Sequence, residues 1–154
     1  MTTTHSTDTV HATCVLLGEA GVLIRGASGA GKSRLALDLL EAARARGLFA
    51  RLVGDDRIRL DARHGRLVAR PHPAIAGLIE RRGIGLLARP HAPAAVVRLV
   101  IDLVPEPPPR LPEAAAGEAT ILRVRLPRLV STAGDGVAPI ALDAAGGLSV
   151  TAAT

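Results

Sequence analysis

Residues 26–33 have the types and spacing of a loop that binds phosphate groups. The segment reads Gly-x-x-x-x-Gly-Lys-Ser and lies between an apolar run at 22–24 and a helical pattern that begins at Lys32. Glycines let the backbone bend tightly and direct successive N–H groups at phosphate oxygens, and the helix N-terminus adds its positive dipole end. In such a loop Lys32 reaches the β- and γ-phosphates of a nucleotide, and the Ser33 hydroxyl binds Mg²⁺. The predicted phosphate-binding residues are Gly26, Ala27, Ser28, Gly29, Ala30, Gly31, Lys32 and Ser33.

The lysine of this loop stands out against the rest of the chain. Lys32 is the only lysine, and every other long basic side chain is an arginine. An arginine often replaces a lysine on a protein surface, but it does not act as a compact point charge between phosphates. A phosphate site therefore explains Lys32 better than a chance glycine turn does.

Two acidic positions follow apolar runs and could complete a site for phosphoryl transfer. Asp55 and Asp56 come after the run at 49–53, and Asp102 ends the run at 96–101. Phosphoryl transfer needs carboxylates for metal binding and for proton handling. The two patterns are nearly equivalent, and each is also typical of a carboxylate at a strand end or turn. Adjacent acids are costly unless a cation lies nearby, which slightly favours Asp55 and Asp56 as the site.

His11 and the triplet Glu80-Arg81-Arg82 are further candidates. A single histidine in a strand more often has a structural role than a catalytic one. Glu80 could bind a metal ion beside two phosphate-binding arginines. A solvated charged turn explains the triplet equally well, so both interpretations stay open at this point.

Composition limits the class of protein and its partners. A chain of 154 residues is long enough for one domain with its own core, and a net charge of +5 favours anionic partners such as nucleotides or an acidic protein. The arginines are spread along the chain and Phe49 is the only aromatic residue, which disfavours nucleic-acid binding. Cys14 is the single cysteine, as expected in a reducing compartment. We find no signal-peptide core and no apolar run long enough to cross a membrane, so a cytoplasmic protein is predicted.

The pattern of apolar residues predicts an α/β domain at residues 10–150 behind a flexible N-terminus at 1–9. A turn signal at 18–21 makes the first two strands a hairpin that leads into the phosphate-binding loop. A charged, glycine-punctuated loop is expected at 80–85 and a proline-rich surface loop at 105–117. Strands are predicted at 10–17, 22–25, 49–53, 58–60, 67–69, 94–104 and 119–126, helices at 32–46 and 137–145, and a short helical turn within 71–78.

Three pieces of the chain, taken in order, resemble HPr kinase/phosphorylase. That family phosphorylates a serine of the phosphocarrier protein HPr and can reverse the reaction with inorganic phosphate. The first piece is His11 followed by the segment 21–33 with its phosphate loop. The second is Val-Gly-Asp-Asp-Arg at 53–57, similar to the family's Ala-Asp-Asp-Arg, and the third is Leu-Ile-Glu-Arg-Arg-Gly-Ile-Gly at 78–85, similar to its Glu-x-Arg-Gly-x-Gly. A phosphate loop alone is nonspecific, but the three pieces together, within residues 10–130, are specific.

The resemblance implies a fold, cofactors and partners. The fold is the P-loop arrangement of the phosphoenolpyruvate-carboxykinase type, a mixed sheet with an antiparallel hairpin that leads into the P-loop. The cofactors are ATP and Mg²⁺, and the protein partner is an HPr-like phosphocarrier. Members of the family form homo-oligomers, specifically hexamers built from this domain. No membrane partner is implied.

The resemblance also assigns roles to the candidate residues. Asp55 takes the serine proton in the kinase direction and returns one in the phosphorolysis direction. His11 lies beside the reacting phosphate with Lys32, and Asp102 becomes a strand-end residue in the core of the sheet. The Mg²⁺ ligands that the resemblance implies are Ser33, Asp56 and Glu80.

The chain departs from the family's pattern in three places. The large N-terminal domain of full-length members is absent, so the chain resembles the short form that consists of the C-terminal catalytic domain, known from alphaproteobacteria. Arg34 follows the loop serine where the family usually has glutamate. The later Pro-Gly-Arg-Asn loop, associated with phosphorolysis, has no clear copy, and Leu-Pro-Arg at 126–128 is its nearest match. These departures favour the kinase activity over the phosphorylase activity.

Two rival functions remain at this stage. One is a nucleotide-sensing regulatory module without turnover, which Arg34 and the missing loop favour and Asp55 disfavours. The other is a small-molecule kinase, which would need an arginine-rich lid. The segment 105–117 is too proline-rich to form a helical lid.

Overall fold

Strands outnumber helices in a computed structural model that describes residues 6–107, 117–134 and 136–146. The helices are α1 (Lys32–Ala45) and α2 (Val137–Ala145), and a 3₁₀ turn spans Pro73–Ile75. The strands are β1 (Ser6–Val10), β2 (Ala12–Leu17), β3 (Ala20–Arg25), β4 (Ala50–Gly54), β5 (Ile58–Arg63), β6 (Arg66–Pro71), β7 (Leu78–Arg81), β8 (Gly85–Ala88), β9 (Ala95–Leu103), β10 (Glu118–Ile121) and β11 (Val124–Ser131).

The main sheet has the strand order β1-β5-β6-β9-β3-β2-β4, with β11 beside β9 and β10 beside β11. Strands β3 and β11 run parallel to β9, whereas β2 pairs antiparallel with both β3 and β4. The sheet is therefore mixed, and the hairpin β2–β3 leads directly into the phosphate-binding loop. This arrangement confirms the predicted α/β class and the antiparallel entry to the loop.

Helix α1 forms because its apolar residues recur at helical spacing and face the sheet. It ends where Gly47 adopts a φ of 74° and its N–H donates to the Arg44 carbonyl at 2.9 Å. Helix α2 packs beside α1 on the same side of the sheet, and β5, β6 and β10 contribute to a second apolar cluster. The core residues of α1 are Leu35, Ala36, Leu39, Leu40 and Ala43.

Three local predictions are wrong. Residues 6–9 are not part of a flexible terminus, because Ser6 to Val10 pair antiparallel with β5. The loop predicted at 80–85 is too long, because only residues 82–84 form a turn, whereas 80–81 belong to β7 and 85 to β8 of a second, two-stranded sheet. The strand predicted at 119–126 is divided into β10 and β11 by Leu122 and Arg123, whose φ angles are 48° and 68°. Two consecutive residues at positive φ make a tight hairpin turn, which glycine or asparagine would normally signal.

Other predictions agree with the structure. Helix α2 has the predicted bounds, and the strands predicted at 58–60 and 67–69 lie within β5 and β6, which form a hairpin that turns at His64 and Gly65, both at positive φ. Most of the proline-rich segment at 105–117 lies outside the described residues. Among the described helices, none is both long and apolar enough to cross a membrane.

Candidate functional site

A cleft of about 1090 Å³ opens beside the phosphate-binding loop. The loop, the first turns of α1, the acids that follow β4 and the β7–β8 hairpin form its walls. Every predicted site residue except Ala30 lines this cleft, although they come from segments as distant as His11 and Glu80. The site thus lies where β3 ends and α1 begins, at the carboxyl end of a parallel strand pair, where α/β sheets commonly bind ligands.

The loop has the backbone that a phosphate cradle requires. Gly29 and Gly31 have φ angles of 82° and 98°, which residues with side chains adopt only at a cost. Gly26 lies so close to β9 that a Cβ atom there would be 3.0 Å from the Leu103 carbonyl oxygen. Lys32 folds back over the loop, and its Nζ donates to the Gly26 and Ala27 carbonyls at 2.8 and 3.0 Å.

Asp55 is the most enclosed acid of the cleft, with 4% of its surface exposed. Its carboxylate accepts hydrogen bonds from three parts of the fold. Thr13 Oγ1 donates at 2.6 Å, Ser33 Oγ lies 2.9 and 3.0 Å from the two carboxylate oxygens, and the backbone N–H of Glu80 donates at 3.0 Å. These bonds join β2, α1 and β7 around one carboxylate next to the phosphate-binding loop.

Thr13 is a site residue that sequence reasoning missed. It is fully buried, and it donates the shortest of the hydrogen bonds to Asp55. A hydroxyl two residues after His11 in an otherwise apolar strand was the available signal. Buried hydroxyls need a partner, so Thr13 pointed to an acceptor somewhere in the fold without identifying it.

Asp56 and His11 lie together at the exposed rim of the cleft. His11 Nδ1 is 3.7 Å from Asp56 Oδ1, and both side chains are largely exposed. Asp56 has a φ of 68°, which a non-glycine residue adopts at a cost and which is concentrated at functional sites. Here the positive φ turns the chain sharply, so that Asp55 is buried and Asp56 faces the open cleft.

Glu80, Arg81 and Arg82 form the opposite wall and are all exposed. A Cβ atom built on Gly29 would lie 3.6 Å from Arg82 Nη2, so this guanidinium lies over the loop. The cleft contains oxygen donors of the kind that Mg²⁺ prefers, in Ser33, Asp56 and Glu80. Within the described residues, no three His, Cys, Asp or Glu side chains are close enough to form a metal cage. A metal held here would complete its shell with water and phosphate oxygens, as is usual for Mg²⁺.

The other candidate acid, Asp102, is not brought to the cleft. It accepts two hydrogen bonds from Arg25, at 2.7 and 2.8 Å, and one from Arg128 at 2.5 Å. Burial alone would raise the pKa of Asp102, but the hydrogen bonds and charges of the two arginines outweigh it, so the pKa lies below its ordinary value of 3.8. Asp102 is an ionised, fully paired carboxylate at the end of β9.

A protein-family comparison identifies the domain. The model of the HPr serine kinase C-terminal domain matches residues 3–92, which is more than half of the chain. The chain belongs to this family. The HPr serine kinase C-terminal domain also accounts for the order of the cleft's parts, since the match includes the phosphate-binding loop, the Asp55-Asp56 pair and the β7–β8 hairpin.

Individual relatives agree with the family match. The chain is 45% identical to an HPr kinase/phosphorylase of Mycoplasma mycoides subsp. mycoides over 76 residues, which are 49% of this chain and 22% of the relative. It is 43% identical to an HPr kinase/phosphorylase of Halalkalibacterium halodurans over 82 residues, which are 53% of this chain and 24% of the relative. The matched part thus spans about a quarter of each of these relatives.

A solved structure extends the similarity over most of the fold. The HPr(Ser) kinase/phosphatase of Coxiella burnetii superimposes with a TM-score of 0.68 and 29% sequence identity. The alignment covers 89% of this chain and 87% of the Coxiella chain. The fold is therefore that of the family's P-loop domain, including strands beyond residue 92.

Proposed function

We propose that this domain is an ATP-dependent protein-serine kinase that phosphorylates an HPr-like phosphocarrier protein. The observation that carries the proposal is the position of Asp55, whose carboxylate lies within 3.0 Å of the Ser33 hydroxyl at the end of the phosphate-binding loop. A base at this point is next to the place where the γ-phosphate of a nucleotide would lie. The relatives are named HPr kinase/phosphorylase, which supports an HPr-like protein as the phosphoryl acceptor.

In this proposal the phosphate-binding loop and Lys32 hold the nucleotide phosphates. Backbone N–H groups of the loop and the N-terminus of α1 offset their negative charge. Lys32 Nζ exchanges its carbonyl partners for the β- and γ-phosphate oxygens, since a charged acceptor binds an ammonium more strongly than a carbonyl does. Arg82 lies over the loop and adds a second positive charge to the transferred group.

Asp55 acts as the base that orients and deprotonates the acceptor serine. Both of its oxygens accept hydrogen bonds from the protein, so the carboxylate has one fixed orientation. If Ser33 holds a metal ion, its hydroxyl would no longer occupy the face of Asp55 that looks into the cleft. An acceptor hydroxyl would then donate its hydrogen bond to Asp55, lose its proton to that carboxylate and attack the γ-phosphorus of ATP in line, with ADP as the leaving group. His11, on the rim with Asp56, borders the same space.

Mg²⁺ would be held by Ser33 with Asp56 and Glu80, all three of which line the cleft. It would neutralise part of the charge on the phosphate oxygens. Asp56 and Glu80 line the same cleft as Ser33, so their carboxylates would supply the negatively charged ligands of such a metal.

The experiment that tests the proposal is intact-mass analysis of an HPr-type carrier incubated with this protein, Mg²⁺ and ATP. We expect one added phosphoryl group on a serine. Asp55→Asn should bind ATP but lose transfer, and Lys32→Ala should lose both. Asp61→Asn, which changes a carboxylate on β5 outside the cleft, is the matched control and should behave as the wild type.

Each outcome decides between the functions. No transfer by a wild-type protein that binds ATP would refute the HPr assignment and favour a nucleotide sensor or a small-molecule kinase. Transfer that survives in Asp55→Asn would refute the role of the base.

The relatives' names include phosphorylase and phosphatase, so we propose that the reverse reaction occurs at the same site. The phosphorylated carrier, incubated with inorganic phosphate, should lose its phosphoryl group and yield pyrophosphate. Arg34 lines the cleft where the family usually has glutamate, and it should make this direction slower than the forward one. A homo-oligomer, hexameric by resemblance, is the assembly we propose, and light-scattering mass measurement tests it.

A further inference from the structure

The side chains of Arg25, Asp102 and Arg128 form a cluster, which we call the strand-end cluster, at the carboxyl ends of β3 and β9, where Arg128 reaches it from the middle of β11. Arg25 and Asp102 are directly opposite each other in the parallel register of β3 and β9. Arg25 binds both carboxylate oxygens, through Nε at 2.7 Å and Nη2 at 2.8 Å, and Arg128 Nε binds one of them at 2.5 Å. One carboxylate therefore joins three adjacent parallel strands.

The cluster is separate from the proposed reaction centre. Side chains alternate between the two faces of a strand, so Arg25 lies on the same face as Leu23 and Asp102 on the same face as Val100. Leu23 and Val100 belong to the apolar cluster on the side away from α1. None of the three charged residues is among the described residues that line the cleft.

Stability alone is a weak explanation for such a cluster. An ion pair that is partly buried, as this one is, gives up much of its attraction in lost solvation, and apolar residues of similar size often replace buried ion pairs without loss. A two-point contact between guanidinium and carboxylate differs from apolar packing because it is directional and fixes the relative position of its partners. The location of the cluster indicates which position is being fixed.

Arg25 is the last residue of β3 and is bonded directly to Gly26, the first residue of the phosphate-binding loop. Gly26 packs against β9 with no room for a side chain, since a Cβ atom would lie 3.0 Å from the Leu103 carbonyl oxygen. The Gly26 carbonyl also receives Lys32 Nζ at 2.8 Å. On the far side of the loop, a Cβ atom on Gly31 would lie 3.1 Å from Ala133 Cβ, just beyond β11. A shift between β3, β9 and β11 would therefore move both ends of the loop.

We propose that Asp102, with Arg25 and Arg128, is a positioning residue that fixes the start of the phosphate-binding loop against β9 and β11. The proposal rests on the proposed nucleotide-binding role of the cleft and not on the identity of the acceptor. Asp102 touches no substrate and acts only through the backbone of Gly26. Loss of the Asp102 carboxylate should weaken nucleotide binding, although Asp102 lies on the face of the sheet away from α1.

Asp102→Asn tests the proposal, because it keeps the shape of the side chain and removes its charge. A misplacement of about 1 Å can cost a catalytic site ~100-fold in rate, and by the same reasoning we expect a displaced loop to bind MgADP ~10- to 100-fold more weakly. A fluorescent ADP analogue reports binding without background from tryptophan or tyrosine, which the chain lacks. Asp61 is the matched control, because it also lies between two arginines, Arg63 and Arg70, but on β5. Asp61→Asn should bind MgADP within about twofold of the wild type, the usual range of a surface change.

Amide hydrogen exchange of residues 26–31 in the nucleotide-free protein separates positioning from folding. We expect faster exchange of these amides in Asp102→Asn, with the core strands protected as in the wild type. Should Asp102→Asn fail to fold, the triple variant Arg25→Met/Asp102→Leu/Arg128→Met removes the three charges of the cluster together. It should unfold at a temperature close to that of the wild type and still show weak MgADP binding and fast loop exchange.

Two results would overturn the proposal. One is MgADP affinity within about twofold of the wild type in a folded variant of the cluster, and the other is unchanged exchange of the loop amides. A wild-type protein that binds no nucleotide would instead refute the proposed function, and the exchange measurement would still decide the role of the cluster.

Discussion

Replacing Thr13 by valine should weaken both the fold and the proposed transfer, because it removes a buried donor to Asp55. Valine has nearly the same shape as threonine, so the substitution deletes the hydroxyl and leaves the packing of a fully buried side chain largely intact. The lost contact is the 2.6 Å hydrogen bond to Asp55 Oδ1. Ser33 and the Glu80 N–H remain as donors to the carboxylate.

The magnitude follows from the kind of hydrogen bond. A bond to a charged group contributes ~1.5–3 kcal/mol, and each 1 kcal/mol shifts the unfolding temperature of a domain of this size by ~2–4 °C. Thr13→Val should therefore lower the unfolding temperature by roughly 3–12 °C. If the same bond orients Asp55 during transfer, the rate should fall by roughly 10- to 150-fold, since 1.4 kcal/mol corresponds to about a factor of ten.

Circular dichroism melts and single-turnover transfer to the carrier measure the two effects. Thr13→Ser is the control, because it keeps the hydroxyl and loses only a methyl group. Serine should therefore restore most of the transfer rate, even if its stability stays below that of the wild type. A Thr13→Val protein within about 0.5 kcal/mol of the wild type in stability and with unchanged transfer would refute the role of this hydrogen bond.

Three further predictions concern other positions. Gly21→Ala should destabilise the fold strongly, because the new Cβ would lie 2.7 Å from the Val96 carbonyl oxygen. Gly117→Ala is the control, because its Cβ would meet nothing within 4 Å, and it should be nearly neutral. Urea unfolding measures both effects. The pKa of Asp102 is lower in the folded than in the unfolded chain, so this carboxylate stabilises the fold fully above about pH 4. That stabilisation is lost as the pH falls below 3.8, the ordinary pKa of an aspartate. Asp102→Asn should therefore make the stability of the protein depend less on pH in this acidic range. Burial raises the pKa of the Cys14 thiol to about 12. A thiol reagent at pH 8 should therefore label Cys14 readily in the unfolded protein and hardly at all in the native protein. Rapid labelling of the native protein would contradict the buried position of Cys14.

The parts of the site that depend on local sequence were predictable. The phosphate-binding loop is read from eight consecutive residues, and the turn that separates Asp55 from Asp56 lies directly after a short apolar strand. Helix α2 could be bounded because it follows a glycine and ends at one. In each of these three cases, the residues that indicate the loop, turn or helix lie within it or within a few residues of it.

The parts that depend on contacts across the fold were not predictable. Thr13 and Asp55 are 42 residues apart, and neither sequence neighbourhood indicates the other. The sequence pattern favoured Asp55 over Asp102 only slightly, and the family resemblance decided between them. Their surroundings differ only after folding, when Asp102 meets two arginines and Asp55 meets a hydroxyl-lined cleft. The tight turn at Leu122 and Arg123 has positive φ angles without glycine or asparagine, so no residue type in the sequence indicated a turn there.

The hydrogen bonds of Lys32 and Ser33 have a consequence for how a nucleotide enters and leaves. Before any ligand arrives, Lys32 already has the Gly26 and Ala27 carbonyls as partners, and Ser33 already has Asp55. A phosphate that binds here therefore replaces hydrogen bonds within the protein, whereas in a solvated site it would replace hydrogen bonds to water. Part of the binding enthalpy is cancelled by this exchange, and the same internal partners take the side chains back when the product departs. Such a cleft favours moderate affinity and rapid release over tight retention, which suits the reversible phosphoryl transfer that we propose.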